Sequence, residues 1–272
     1  MVPSTAKDRL KMLARSLVHR PHERVERYEA PADLDRNQML ARAKAEGRVI
    51  EQLFWEHDGR LAHKWPHYFE IYDRYFEKFR TGFKPGAEKM RPLKFLEIGV
   101  SHGGSLQLWR KYFGPEAVLF GIDIDPRCAA VDDRDLCVRI GSQADPAFLQ
   151  KVVEEMGGVD IVLDDGSHIA DHQQVSFDTL MPLLSPGGLY IVEDVQTAYW
   201  RNWGGGYRRA GSFVELAKSV IDDMYARYHA AGAKRSFAEN EIFATSFFDG
   251  IVVFEKAQRP ASFHARQGKP SF

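Results

Sequence analysis

The chain has 272 residues and an apolar fraction of 44%, and its 37 Lys and Arg nearly cancel 38 Asp and Glu, which allows one large core but gives no overall field to draw it to nucleic acid or an anionic membrane. The only two cysteines, Cys128 and Cys137, exclude a disulfide framework, and no Cys/His spacing of the zinc-finger kind occurs. No stretch has the apolar length of a membrane helix and the basic first residues lack the apolar run of a signal peptide, so a cytoplasmic protein is expected.

Within residues 1–30, Leu10, Leu13 and Leu17 fall at helical spacing and predict an amphipathic helix, a docking arm or homo-oligomer contact. Residues 31–53 read as one further helix, with Asp33 or Asp35 near its start. Between 57 and 80, Trp65, Tyr68, Phe69, Tyr72, Tyr75, Phe76 and Phe79 recur at intervals that predict a helix laying its rings on the core. Some His and Tyr of this stretch are also placed to line a pocket. Thr81 to Arg91 contains two glycines and a proline and is read as the boundary between a helical cap or oligomerisation segment, 1–91, and a second domain, 92–272.

From Lys94 onward, short apolar runs alternate with helical segments. Lys94 to Ile98 predicts a strand that ends in Gly99, and a glycine-containing turn leads into a helix over 104–113. The next strand, Val118 to Ile124, ends in Asp123 and Asp125, about 20 residues beyond the turn, where a ribose-binding acid belongs in a nucleotide-binding βαβ unit. A short strand is expected at 136–140, then a helix from Pro146 to Met156 capped by Asp145. The run Val159 to Leu163 ends in Asp164-Asp165-Gly166-Ser167-His168. A helix over 169–184, stopped by Ser-Pro-Gly-Gly, leads to the run 189–192, which ends in Glu193-Asp194. Ligands of open α/β sheets sit at the carboxyl ends of the strands, so these polar residues should converge on one crevice.

Trp200 to Tyr207 combines three glycines with large aromatics and is expected to be irregular, a lid over the crevice or a solvated loop. After a helix over 212–230, two strands flank Asp249-Gly250 as a hairpin that adds antiparallel strands to a parallel sheet. The fold class expected is α/β, a doubly wound, Rossmann-like, mostly parallel sheet of seven strands with a carboxyl-terminal antiparallel hairpin and an amino-terminal helical segment.

This order resembles the class I S-adenosylmethionine-dependent methyltransferases. Phe95-Leu96-Glu97-Ile98-Gly99-Val100, Gly103-Gly104-Ser105, Gly121 to Pro126, Asp165-Gly166-Ser167-His168 and Gly188 to Asp194 are similar to the metal-dependent O-methyltransferases of macrolide sugars and the related cephalosporin-hydroxylase-like proteins, over roughly residues 62–256. The resemblance implies that Glu97, Gly99, Val100, Ser101, Gly103 and Ser105 surround the methionine part of S-adenosylmethionine. It implies too that Asp123 accepts the ribose hydroxyls, and that Gln143, Ala144 and Asp164 lie on the adenine side. It assigns Mg²⁺ to Asp165, Glu193 and Asp194, whose carboxylates suit a hard cation, and the general base to His168, with Asp165 beside it in catalysis. The lesser alternative is that Glu193 and Asp194 merely cap the next helix. The implied acceptor is a hydroxyl of a sugar-containing small molecule, with neither nucleic acid nor membrane as partner. A hydroxylase-like relative or a non-catalytic cofactor-binding partner are the alternative readings.

Overall fold

The computed structural model describes residues 30–84, 90–229, 238–258 and 263–272. The helix expected around Leu10 to Leu17 and the glycine–proline part of the 81–91 boundary lie outside the described residues.

Among the described residues, three helices precede the sheet. α1 (Arg36–Ala45) starts at Asp35, whose carboxylate accepts from the backbone N–H groups of Asn37 and Gln38. The single helix expected over 31–53 is two, because Gly47 takes the left-handed conformation at φ +69° and α2 (Val49–Trp55) starts afresh beyond it. α3 (Tyr68–Phe76) is the aromatic helix, prolonged by a 3₁₀ turn over Glu77–Phe79. It begins later than the aromatic run because Pro66 disfavours helical geometry at Trp65.

The sheet has seven strands: β1 (Lys94–Ile98), β2 (Val118–Asp123), β3 (Cys137–Ile140), β4 (Val159–Asp164), β5 (Leu184–Val192), β6 (Ile242–Phe247) and β7 (Val252–Lys256). Their order is β3-β2-β1-β4-β5-β7-β6, with β7 antiparallel to its neighbours and the other pairings parallel. Between the strands run α4 (Gly104–Phe113), α5 (Pro146–Met156), α6 (Ala170–Leu180) and α7 (Phe213–Met224). Successive residues of β1 serve opposite faces. Phe95 packs with Phe76, Trp109 and Phe113, whereas Leu96 joins the core formed by Leu149, Phe177 and Tyr190. Tyr68 to Phe83 and Ile50 of α2 share the first of these cores with β1 and β4, so α2 and α3 are built into the sheet's own core.

Two further expectations are corrected. α6 stops at Leu180, and Ser185-Pro186-Gly187-Gly188 lies inside β5, where the pairing with β4 slips between Val159 and Ile161. A Cβ at Gly188 would fall 2.4 Å from the Asp160 carbonyl oxygen, so a glycine permits that close approach. α7 ends at Met224, and only a 3₁₀ turn over Ala226–Tyr228 continues it. The Trp200 to Tyr207 stretch contains one regular turn, a 3₁₀ turn over Arg201–Trp203 closed by left-handed Gly204.

The strand order reverses at β1, between β2 and β4. There Ile98 stands opposite both Ile122 and Asp164, and Asp164 opposite Val192. The backbone N–H groups of Gly99, Asp165 and Glu193 donate to the carbonyls of Ile122, Ile98 and Asp164. The residues just past three strands are thereby stapled side by side along one edge.

Candidate active site

The loop after β1 is shaped by its glycines and by Asp123. Gly99 has φ +94°, and a Cβ there would meet the Asp165 carbonyl oxygen at 2.1 Å; Gly103, at φ +80°, is the left-handed residue that opens α4. Asp123 Oδ2 accepts from the N–H groups of Val100 and Ser101, each at 2.9 Å, and its Oδ1 accepts from the N–H of Asp125. One carboxylate thus fastens the turn to the end of β2. A cavity of about 340 Å³ opens beside it, walled by Gly99, Ile122, Asp123, Gln143, Ser167 and His172 among others.

Gln143 is fixed from behind. Its Nε2 donates to Asp164, which also accepts from Ser176 at 2.7 Å and Tyr190 at 3.3 Å, and its Oε1 accepts from the Ser167 N–H at 2.7 Å. Burial raises the pKa of Asp164, and the donors of Ser176 and Gln143 work against that rise.

A second cavity, about 300 Å³, shares Gly99, Asp123 and Gly166 with the first and reaches Asp165, His168, Glu193 and Asp194. Ligand atoms of Asp165, His168 and Asp194 lie within 4.8 Å of one another. His168 Nε2 is 3.7 Å from Asp194 Oδ2 and 4.0 Å from Asp165 Oδ1. Both His168 and Asp194 have left-handed backbones, φ +57° and +53°, an uncommon conformation outside glycine. His168 Nδ1 is buried and has no hydrogen-bond partner among the described residues.

Glu193 lines the same cavity but its oxygens are already engaged. Its carboxylate accepts from Lys64 Nζ at 2.9 and 3.0 Å and from the Tyr72 hydroxyl at 2.6 Å, so the structure gathers His168, rather than Glu193, with Asp165 and Asp194. Lys64 also donates to Asp165 Oδ2 at 2.5 Å, and the Tyr68 hydroxyl donates to Asp194 Oδ1 at 2.7 Å. Burial would lower the pKa of the Lys64 ammonium, but Asp165, Glu193 and Glu97 together hold it above its ordinary value. Burial and the negative charge of Asp165 push Glu193 well up, against the pull of Lys64. Removing the Tyr72 hydroxyl takes a donor from a buried carboxylate. Tyr72→Phe should therefore cost about 1–3 kcal/mol in chemical denaturation, and unchanged stability would show that this contact contributes nothing.

Of the residues singled out from the sequence, Gly99, Val100, Ser101, Ser105, Asp123, Gln143, Asp165, His168, Glu193 and Asp194 line these two cavities. Glu97, Gly103, Ala144 and Asp164 are not among the lining residues. Glu97 is fully buried and accepts from Ser105 at 2.8 Å and Trp109 at 3.1 Å. Burial lifts its pKa to about 7, with Lys64 pulling the other way. His102 lies in a third cavity beside Arg60 and Arg127, and His172 Nδ1 is 2.9 Å from the Ser167 hydroxyl. None of residues 199–211 lines these three cavities. That loop folds on itself instead, with Trp200 and Trp203 in edge contact and the N–H groups of Gly205 and Gly206 donating to Trp200 and Ala198.

Residues 96–195, which run from β1 through the acids after β5, match the family described as "Methyltransferase domain". The 8-demethyl-8-(2-methoxy-alpha-L-rhamnosyl)-tetracenomycin-C 3'-O-methyltransferase of Streptomyces olivaceus is 35% identical over 220 residues, 74% of this chain and 54% of that one. The mycinamicin VI 2''-O-methyltransferase of Micromonospora griseorubida is 33% identical over 199 residues, 69% of this chain and 47% of that one. A solved structure of the MycE methyltransferase from the mycinamycin biosynthetic pathway, in complex with Mg, SAH and mycinamycin VI, superposes with a TM-score of 0.64 at 30% identity, covering 81% of this chain and 54% of that one. The chain spans about half the length of the curated relatives it matches. No helix among the described residues is long and apolar enough to cross a membrane. With the glycine turn and the strand-end acids inside the matched segment, residues 96–195 form a methyltransferase domain similar to that of these O-methyltransferases.

Proposed function

We propose that the chain transfers a methyl group from S-adenosylmethionine to a hydroxyl of a sugar-containing small molecule, with Mg²⁺ held beside the reacting groups. The observation that carries this reading is the continuity of the two cavities: the Asp165–His168–Asp194 cluster opens onto the same Gly99 and Asp123 that shape the loop after β1. Relatives that carry this domain are named as O-methyltransferases, one of them solved with Mg and SAH.

The residues present fit both groups. Two carboxylates and an imidazole converge within 4.8 Å, oxygen-rich chemistry that suits Mg²⁺, with the Nε2 of His168 turned toward both acids. Asp165 and Asp194 would hold the ion, and Glu193 is the third carboxylate at that edge. Bound there, Mg²⁺ would lower the pKa of an acceptor hydroxyl and S-adenosylmethionine would supply the methyl group. His168 takes the hydroxyl proton at Nε2, the nitrogen facing both acids. Ser101 and Val100 hold the loop that receives the methionine part, and Asp123 accepts the ribose hydroxyls while it fastens that loop. Gln143, held by Asp164, sets the wall on the adenine side, and Ala144 follows it in the chain without lining the cavity. Glu97, with Ser105, supports the loop from behind, and Gly103 starts the helix beyond it. Residues 92–272 act as the methyltransferase domain and residues 1–91 as its helical cap, in a cytoplasmic enzyme.

Asp123→Ala should weaken S-adenosylhomocysteine binding about tenfold or more, because it strands two loop N–H groups as well as the ribose hydroxyls. Calorimetry with undiminished affinity would remove Asp123 from the site. The activity itself is tested by incubating the protein with S-adenosylmethionine, Mg²⁺ and a panel of rhamnosylated and other glycosylated polyketides. A product heavier by one methylene, formed with stoichiometric S-adenosylhomocysteine, is expected. A product heavier by one oxygen would favour the hydroxylase-like reading, and cofactor binding with no turnover on any acceptor would favour a partner role.

A further inference from the structure

Lys64 is the one lysine among the described residues that is buried against the strand-end acids. Its side chain is 3% exposed, and its Nζ lies 2.5 Å from Asp165 Oδ2, 2.9 Å from Glu193 Oε1 and 3.9 Å from Glu97 Oε1. It thereby bridges the carboxyl ends of β1, β4 and β5. The two tyrosines that follow at intervals of four, Tyr68 and Tyr72, donate to Asp194 and Glu193. Each acid of the cluster divides its oxygens. Asp165 gives Oδ2 to Lys64 and leaves Oδ1 toward His168; Asp194 gives Oδ1 to Tyr68 and leaves Oδ2 toward the same imidazole. Glu193 gives both oxygens to Lys64.

We propose that Lys64 is a resident counter-cation of the strand-end acids, a positioning residue that holds Asp165 and Glu193 in place before a divalent cation enters and that competes with the ion for Asp165. The inference rests on the metal reading given above. Two physical arguments support it. Carboxylates gathered in a buried site repel one another unless a cation is among them, and Lys64 is the only Lys or Arg for which the described residues show an ion pair with Asp165 or Glu193. A divalent ion shared by Asp165 and Asp194 would then lie within a few ångströms of the ammonium, where like charges repel strongly because little water screens them. Lys64 therefore trades metal affinity for an ordered site that stays intact while metal exchanges.

The test uses Mn²⁺ as the probe, with free Mn²⁺ read by electron paramagnetic resonance and stability by thermal denaturation. Wild type should bind one Mn²⁺ per chain; if it binds none, the metal reading itself fails, separately from this proposal. Lys64→Gln should bind Mn²⁺ about tenfold more tightly or better, should melt lower than wild type without metal, and should regain most of that loss when Mn²⁺ is saturating. Lys64→Arg, which keeps the charge, should show no such tightening. A merely structural ion pair would lower stability with or without metal and leave affinity unchanged. Mn²⁺ affinity in Lys64→Gln equal to or weaker than wild type overturns the proposal, as does the same tightening in Lys64→Arg. Failure of Lys64→Gln to fold even with Mn²⁺ present also overturns it, since the ion then does not stand in for the ammonium.

Discussion

His168→Ala should lower kcat by about 10² to 10⁴, the usual worth of a positioned general base, while affinity for S-adenosylhomocysteine stays as in wild type. A sugar hydroxyl is a weak nucleophile until its proton is removed, and His168 offers its Nε2 at 3.7 Å from Asp194 and 4.0 Å from Asp165, in the cavity shared with the loop after β1. The side chain is 22% exposed, enough to meet an acceptor. Its left-handed backbone, φ +57°, fixes the direction of approach. Because Ala tolerates that conformation less well than Asn, His168→Asn is the companion variant: it keeps the backbone preference and removes the base. Equal losses of kcat in both variants, with cofactor affinity intact, assign the loss to chemistry. Wild-type kcat in either would place the base elsewhere, with His172 and His102 the next candidates in the adjoining cavities.

Asp194→Asn is expected to have an effect of similar size by a different route. Asparagine tolerates the left-handed backbone at φ +53° and can still accept the Tyr68 hydroxyl through its amide oxygen, so the fold should survive. What it removes is one of the two carboxylates that face His168. Divalent-ion affinity should fall by about 100-fold or more, and turnover at ordinary Mg²⁺ concentrations should fall with it. Cofactor affinity should not change, since Asp194 does not line the cavity on the adenine side. Mn²⁺ binding as tight as in wild type would show that Asp194 is not a ligand and that Glu193 serves in its place.

The parallel sheet was legible because its strands are buried on both faces and read as short apolar runs, each closed by a glycine or an acid. Lys94 to Ile98 and Val159 to Asp164 fall where those runs predict, and the Asp249-Gly250 turn marks the antiparallel pair. Asp165 and Asp194 were legible for the same reason, as polar residues placed one after the other at strand ends. The start of β5 was not, because Ser185-Pro186-Gly187-Gly188 has the composition of a turn while a bulge against β4 absorbs it.

Lys64 was invisible for a different reason. It sits 101 residues before Asp165, in an irregular segment, and a single lysine among aromatics gives no sign of a distant partner. Tyr68 and Tyr72 read as core rings, and their rings are buried in the core. Only the fold shows that their hydroxyls emerge at the edge where Asp194 and Glu193 stand. The spacing of Lys64, Tyr68 and Tyr72 at intervals of four was the one trace in the sequence. On a helix it puts the hydroxyls of Tyr68 and Tyr72 on one side, and it says nothing about Lys64, which precedes the helix, or about what they face.

The orientation of Glu193 follows from this same segment. In the sequence it is the first of two consecutive acids and equal to its neighbour; in the fold, Lys64 and Tyr72 claim it, and Asp194 turns toward His168.

The measurement that tests the central claim most directly is transfer of an isotopically labelled methyl group from S-adenosylmethionine to a glycosylated acceptor, followed with and without chelator. The account predicts label recovered as a methyl ether on a sugar hydroxyl, lost when chelator is present, and restored by added Mg²⁺ in wild type but not in Asp194→Asn. Transfer at an undiminished rate in chelator, or label on the acceptor at wild-type rate in Asp194→Asn, would contradict it.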